Sequence, residues 1–263
     1  MNRLIAAEWI KLWSLRSTSL VLLSGALVII GITANSARSN VDLIRRSGSE
    51  EQRSFIDPMH AAFMPDAFQI LMLIAGSVGA ITIFGEYTSG LIRTTFAAIP
   101  ARHEVAAAKI ILIAAVMSVL GAAVAAASFG ITQAIYGQEG VGMPFGAPGT
   151  ARAIAASALL APLSALVGMA LGAMIRHATG TMVSLVGLLF LLPALVRGET
   201  YRWVAEIGNA MPISAWSALT DNPARPDHPA KYPVTLAEAW TVFGAWALVA
   251  VVVTVLVVRR RDV

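Results

Sequence analysis

Residues 85–109 read GEYTSGLIRTTFAAIPARHEVAAAK. This stretch is a polar island that carries Glu86, Arg93, Arg102, Glu104 and Lys109. The runs on either side, 67–85 and 110–138, carry no charged residue. Unpaired charge and open backbone are costly in hydrocarbon. A hairpin of this kind therefore has to emerge from a bilayer, with its two flanks crossing it.

Working outward, the same reading applies along the chain. Further charge-free gaps lie at 17–37, 153–175, 178–196 and 239–258. A helix needs about 20 apolar residues to cross the hydrocarbon core. Six gaps give six spans, with both termini on one side. The expected fold class is an all-α polytopic membrane protein, with residues 1–263 forming a single transmembrane domain. Composition agrees. Hydrophobic residues make up 57% and charged residues 13%, against about one quarter charged in soluble domains, and the mean hydropathy is +0.73. The chain has no cysteine, so disulfide frameworks and thiolate metal sites are excluded. The pI near 9.8 comes from basic residues beside the spans. No basic stripe with interleaved aromatics points to nucleic acid. The first span exceeds the roughly 7–15 apolar residues of a signal-peptide core and is read as retained.

Residues 2–16 have helical periodicity. At 100° per residue, Ile5, Trp9, Leu12 and Trp13 share one face, with Arg3, Lys11 and Ser14 roughly opposite. Tryptophan suits the membrane interface, and Lys11 and Arg16 suit anionic head groups. An interfacial amphipathic helix is expected; the plainer alternative is a charged flank that only orients the first span.

Residues 38–66 read as a polar outer loop, short and amphipathic or disordered. Glu50 and Glu51 lie in it with no histidine or second acid site placed to work with them. Pro162 is a candidate kink in the fourth span. Gly168 and Gly172 form a small-xxx-small pair, which serves packing within one subunit as well as it serves dimerisation. Residues 197–238, with Tyr201, Trp203, Met211, Pro212 and Trp216, are expected to form short helices at the outer surface. With the termini inside, 10 of the 19 Lys and Arg residues are inside. Long outer loops carry most of the others, and such loops obey the positive-inside rule less strictly.

Several chemistries are missing. None of the lysines (Lys11, Lys109, Lys231) follows a glycine, so no phosphate-binding Gly-Lys-Ser/Thr loop is present. The histidines, His60, His103, His177 and His228, are scattered through loops without metal-ligand spacing. No acid, arginine or lysine falls mid-span, where ion-coupled transporters place such groups. Neither an enzyme nor a resident cofactor is expected, and energy for transport comes from elsewhere or there is no active transport.

The hairpin then draws attention. Residues 89–98 can form a short helix capped near Thr88 or Ser89 and broken by Pro100. Lying across the membrane face, it would act as a lever on the second and third spans; otherwise it is an ordinary inner loop.

Three stretches carry a resemblance to the permeases of ABC type-2 exporters. They are RLIAAEWIKLWSLRST at the start, with its Glu-x-x-Lys and Arg-Ser-Thr pattern, FGEYTSGLIRTTFAAIPARHEVAAAK, and AMPISAWSAL. In the second stretch Glu86, Gly90, Arg93, Pro100, Arg102 and Lys109 match the family's first inner loop. The resemblance implies a cytoplasmic coupling helix around residues 93–102, seated in a separate ABC ATPase subunit that binds the ATP and magnesium. It further implies a second permease copy or homologous permease, Glu86 paired with Arg93 or a neighbouring inner-face arginine, and export across the cell membrane with both termini cytoplasmic. The substrate-binding residues are unknown. An apolar path fits a hydrophobic or amphiphilic cargo. The competing readings are a secondary transporter or channel, and a non-transporting component of a resistance or sensing complex.

Overall fold

The computed structural model describes residues 2–14, 16–47, 56–98, 101–196, 198, 200–225 and 231–260. Among them the regular elements are all helical. Six are long and apolar enough to cross a membrane. In chain order the helices are α1 (Asn2–Ser14), α2 (Arg16–Ser47), α3 (Pro58–Ala62), α4 (Pro65–Thr88), α5 (Leu91–Ala98), α6 (Arg102–Gly137) and α7 (Thr150–Ile175). They continue with α8 (Ala178–Val186), a π-helical turn (Gly187–Leu191), α9 (Leu192–Leu195), α10 (Arg202–Asn209), α11 (Pro212–Thr220) and α12 (Leu236–Arg260).

The hub is α7. Every residue from Leu160 to Ala170 is buried, and the helix packs on α4, α6 and α12. Small residues make this possible. A Cβ on Gly168 would lie 1.9 Å from the Gly76 carbonyl oxygen, and one on Gly79 would lie 2.0 Å from that of Ala165. At Gly172 the nearest atom would be the Ala80 carbonyl oxygen at 2.8 Å. The Gly168/Gly172 pair is thus used inside the chain, against α4. Pro162 sits buried within an unbroken α7. Its missing N–H leaves the Ala158 carbonyl without its helical partner. That carbonyl faces Gly121 of α6, where a Cβ would approach it to 2.2 Å.

Helices α2, α8, α9 and α12 form the periphery and expose large apolar side chains. Leu20, Leu23 and Leu27 on α2, Val183 on α8, Leu195 on α9, and Leu248 and Val249 on α12 are examples. Such a girdle is what hydrocarbon solvates and water does not.

The structure departs from sequence expectation in several places. Helix α2 does not stop near residue 37 but runs on to Ser47. Ala37, Val41 and Ile44 recur at helical spacing and are buried, while Arg38, Arg45 and Arg46 point outward. Ala37 and Val41 pack with Ala61 and Tyr136. Arg45 pairs with Glu139 at 2.7 Å. Residues 56–66 are packed rather than loose. Asp57 caps α3 by accepting from the Met59 N–H at 2.8 Å and accepts from Asn222 at 2.9 Å, and Met59 and Phe63 are buried. Glu50 and Glu51 lie outside the described residues. The fifth span contains a π turn just before Pro193, with the Leu192 N–H donating to the Gly187 carbonyl. The wider turn absorbs the lost proline N–H.

The AMPISAWSAL stretch forms α11, which enters the core. Trp216 is fully buried, stacks on Phe68 at 5.0 Å and donates from Nε1 to the Ser157 hydroxyl at 3.0 Å. Arg152 closes α11 by donating to the carbonyls of Leu219 (2.8 Å) and Asp221 (2.6 Å).

Candidate functional site

The polar hairpin lies at the end of the bundle that holds α1 and the last turn of α12. Val258 of α12 lines a small cavity together with Glu86, Phe96 and Lys109. Thr88 and Ser89 close α4 instead of opening the next helix. Their hydroxyls donate to the Gly85 carbonyl at 3.1 Å and 2.7 Å, and the Ser89 N–H does so at 3.1 Å. Gly90 then takes φ 73°, a left-handed conformation that glycine adopts without steric cost. The chain turns there, and α5 begins at Leu91 rather than at residue 89. Ile92 is buried beneath α5. The Arg102 guanidinium sits 5.1 Å from the centre of the Phe96 ring, a cation–π contact that joins α5 to the first turn of α6. The Arg93 side chain and Pro100 lie outside the described residues.

Two of the expected residues meet at the centre of this end. Glu86 is on the last turn of α4, and Lys109 is two turns into α6. Both are buried, at 7% and 5% exposure. Lys109 Nζ donates to Glu86 Oε1 at 2.7 Å and to Glu8 Oε2 at 2.5 Å. Lys11 Nζ donates to Glu8 Oε1 and Glu86 Oε1, both at 2.9 Å. Two carboxylates and two ammonium groups therefore form a closed, electrically balanced cluster that spans α1, α4 and α6. An isolated buried charge carries a desolvation penalty of several kcal/mol, which only pairing and hydrogen bonding offset. Each charge here faces two of opposite sign. Among the described residues the partners of Glu86 are two lysines; its expected pairing with Arg93 falls on a side chain outside them.

Glu8 is the residue that sequence reasoning passed over. The signal was present in the Glu-x-x-Lys spacing, which puts Glu8 and Lys11 on one face of α1. The face of α1 turned to the bundle holds Glu8 and Leu12, both buried, with Lys11 at its edge. Lys11 was expected on the side opposite the apolar stripe. The buried acid–base pairs draw that side in, and Trp9 and Trp13 are left exposed with their rings 5.5 Å apart. Burial acts to lower the pKa of Lys11, but its hydrogen bonds to Glu8 and Glu86 outweigh this and raise it above the ordinary 10.5. The Arg16 side chain lies outside the described residues.

Beside the cluster, between α1, α2, α4, α6 and α8, is a cavity of about 580 Å³. Glu8, Lys11, Glu86 and Lys109 line one part of it; Val21, Val78, Ile81, Leu112 and Ile113 line another. On the opposite flank of the hairpin the Arg176 guanidinium lies 4.3 Å from the centre of the Tyr87 ring, so the α7–α8 turn also rests on the end of α4. No group of three or more potential metal ligands occurs among the described residues.

No protein-family model matches the chain, and no significant match to a curated protein is found.

Proposed function

We propose that this chain is the membrane-spanning permease of an ATP-driven exporter of the ABC type-2 kind, worked through the hairpin by a separate ATPase subunit. The observation that carries this reading is the four-residue cluster Glu8–Lys11–Glu86–Lys109. It binds the helices on either side of α5 to each other and to α1. A force applied to α5 is then delivered to two spans and to the amphipathic helix together. In this reading Gly90, Arg93, Pro100 and Arg102 meet the ATPase, while Glu86 and Lys109 anchor the hairpin from within. In this reading α1 lies in the membrane interface with Trp9, Trp13, Lys11 and Arg16 at its boundary. Both termini are cytoplasmic in the cell membrane, and a second permease copy or a homologous permease completes the path. ATP and magnesium are held by the ATPase partner. Cargo moves outward and is hydrophobic or amphiphilic.

The test is co-purification from mild detergent, with ATP hydrolysis measured on the eluate. A co-purifying ATPase that is released by Arg93→Glu with Arg102→Glu supports the assignment. A chain that elutes alone from a host supplying its candidate ATPases overturns it.

One observation favours a second reading. Ionisable groups buried among spans are a mark of ion-coupled carriers, and Glu8, Glu86 and Lys109 are such groups. Substrate flux in ATP-free proteoliposomes that follows a proton gradient and is lost in Glu86→Gln would place the protein there.

A further inference from the structure

The cavity beside the cluster has the layout of a ligand site. Its volume falls within the 300–1,000 Å³ of small-molecule pockets, which are mostly apolar with a few placed polar groups. The apolar part carries Val21, Ile81 and Leu91, which are 42%, 42% and 54% exposed. Val21 and Ile81 lie on helices long and apolar enough to cross a membrane, where exposed apolar side chains are solvated by hydrocarbon rather than water. The other part is polar, with hydroxyls of Ser14, Ser17 and Thr18 at the α1–α2 junction. Of the four charges there, only Lys11 is open to approach, its side chain 40% exposed against 6–9% for the others. Glu86 Oε2 is buried with no hydrogen-bond partner among the described residues.

We propose that this cavity binds a zwitterionic, phosphate-bearing amphiphile, chain against Val78, Ile81 and Leu112 and head at Lys11. Lys11 presents its positive charge to the head, with Ser17 and Thr18 beside it, and a phosphodiester offers several anionic acceptor oxygens. The cluster as a whole is neutral, two acids against two lysines, so it attracts neither a bare anion nor a bare cation over distance. A head that carries its own balancing charge matches it. The inference does not depend on the export reading. A resident membrane phospholipid and a transported amphiphile share this chemistry.

The probe is a lysophosphatidylethanolamine with a diazirine in its acyl chain, photo-crosslinked to the purified full-length protein and mapped by peptide mass spectrometry. Labelling is expected on the α4 and α6 segments that line the cavity. Gly85 supplies the decisive variant. It lines the cavity, and a Cβ there meets nothing nearer than Ile81 at 3.9 Å. Gly85→Phe fills the space without a backbone clash and is expected to reduce labelling about tenfold or more, the equivalent of about 1.4 kcal/mol in affinity. Lys11→Gln is expected to cost about fivefold, by loss of the positive charge beside the head. Elution volume and thermal midpoint confirm that each variant is folded.

Palmitate or dodecyltrimethylammonium competing as well as unlabelled probe would overturn the head-group assignment. Unchanged labelling in Gly85→Phe would overturn the site. A disulfide-linked dimer of Ser77→Cys with no labelling would give the cavity to a second copy of the chain, and the proposal would fall. Native mass spectra separate the two sources. A phospholipid adduct surviving purification marks a resident lipid, and probe binding to an adduct-free protein marks an exchangeable ligand.

Discussion

Lys109 Nζ lies 2.5 Å from Glu8 Oε2, a contact between residues 101 positions apart in the chain. It joins the first helix to the third span at a point from which water is largely excluded. Removing one partner from a buried pair leaves the other uncompensated, at about 3–5 kcal/mol. Lys109→Met leaves Glu8 and Glu86 to share Lys11 alone, one carboxylate in excess, and is expected to lower stability by up to about that amount in reversible unfolding from detergent micelles. The double variant Glu8→Gln with Lys109→Met should recover part of the loss, because the orphaned carboxylate is gone. A double variant less stable than Lys109→Met alone would argue against the pairing.

The pKa of Lys11 gives a pH window for the docking of α1. A raised folded-state value means that the stabilisation is fully present below the ordinary 10.5. It is lost as pH rises through the raised value. The protein has no cysteine, so a fluorophore on Ala6→Cys, an exposed position of α1, reports this helix alone. Its anisotropy should hold up to pH 10.5 and fall above it, and the fall should begin at lower pH in Glu8→Gln.

The glycine seam between α4 and α7 predicts a sharp contrast. Gly168→Val forces a side chain into the Gly76 carbonyl, which a Cβ would approach to 1.9 Å. Gly130, also in a long helix, meets nothing within 4 Å. Gly168→Val should abolish the folded, monodisperse protein. Gly130→Ala should be neutral or stabilising by up to about 1 kcal/mol, from helix propensity. Size-exclusion profiles and thermal midpoints separate the two outcomes.

Ser157→Ala tests the seating of α11. It leaves the buried Trp216 Nε1–H without its acceptor and is expected to cost about 1–3 kcal/mol. Trp216→Phe keeps an aromatic ring against Phe68 and leaves only the Ser157 hydroxyl of this pair without its partner. Near-equal losses would identify the hydrogen bond, rather than the stack, as the main term. The thermal midpoints of both variants provide the comparison.

The six spans were legible because hydrocarbon forbids charge over about 20 residues, and charge-free gaps are plain in a sequence. The same rule misled at span ends. A gap-based boundary stops at the first charge, so it placed Arg38 outside the helix and Lys109 in the hairpin. Helices do not end where hydrophobicity ends, and an amphipathic continuation such as Ala37, Val41 and Ile44 carries α2 three turns further. Glu86 and Lys109 were recognised singly, but their meeting is a tertiary event that no local pattern encodes. Glu8 looked like one acid on an exposed helix. Its burial depends on which side of α1 the bundle takes, and the aromatic stripe pointed to the other side.

The contact between α4 and α7 includes points where no side chain intervenes. Backbone rests on backbone at Gly76, Gly79 and Gly168. At those points there is no rotamer to rearrange, so sliding or a change of crossing angle meets backbone directly. The two helices form a strut. The outer helices, α2, α8 and α12, pack around a stem that keeps its shape.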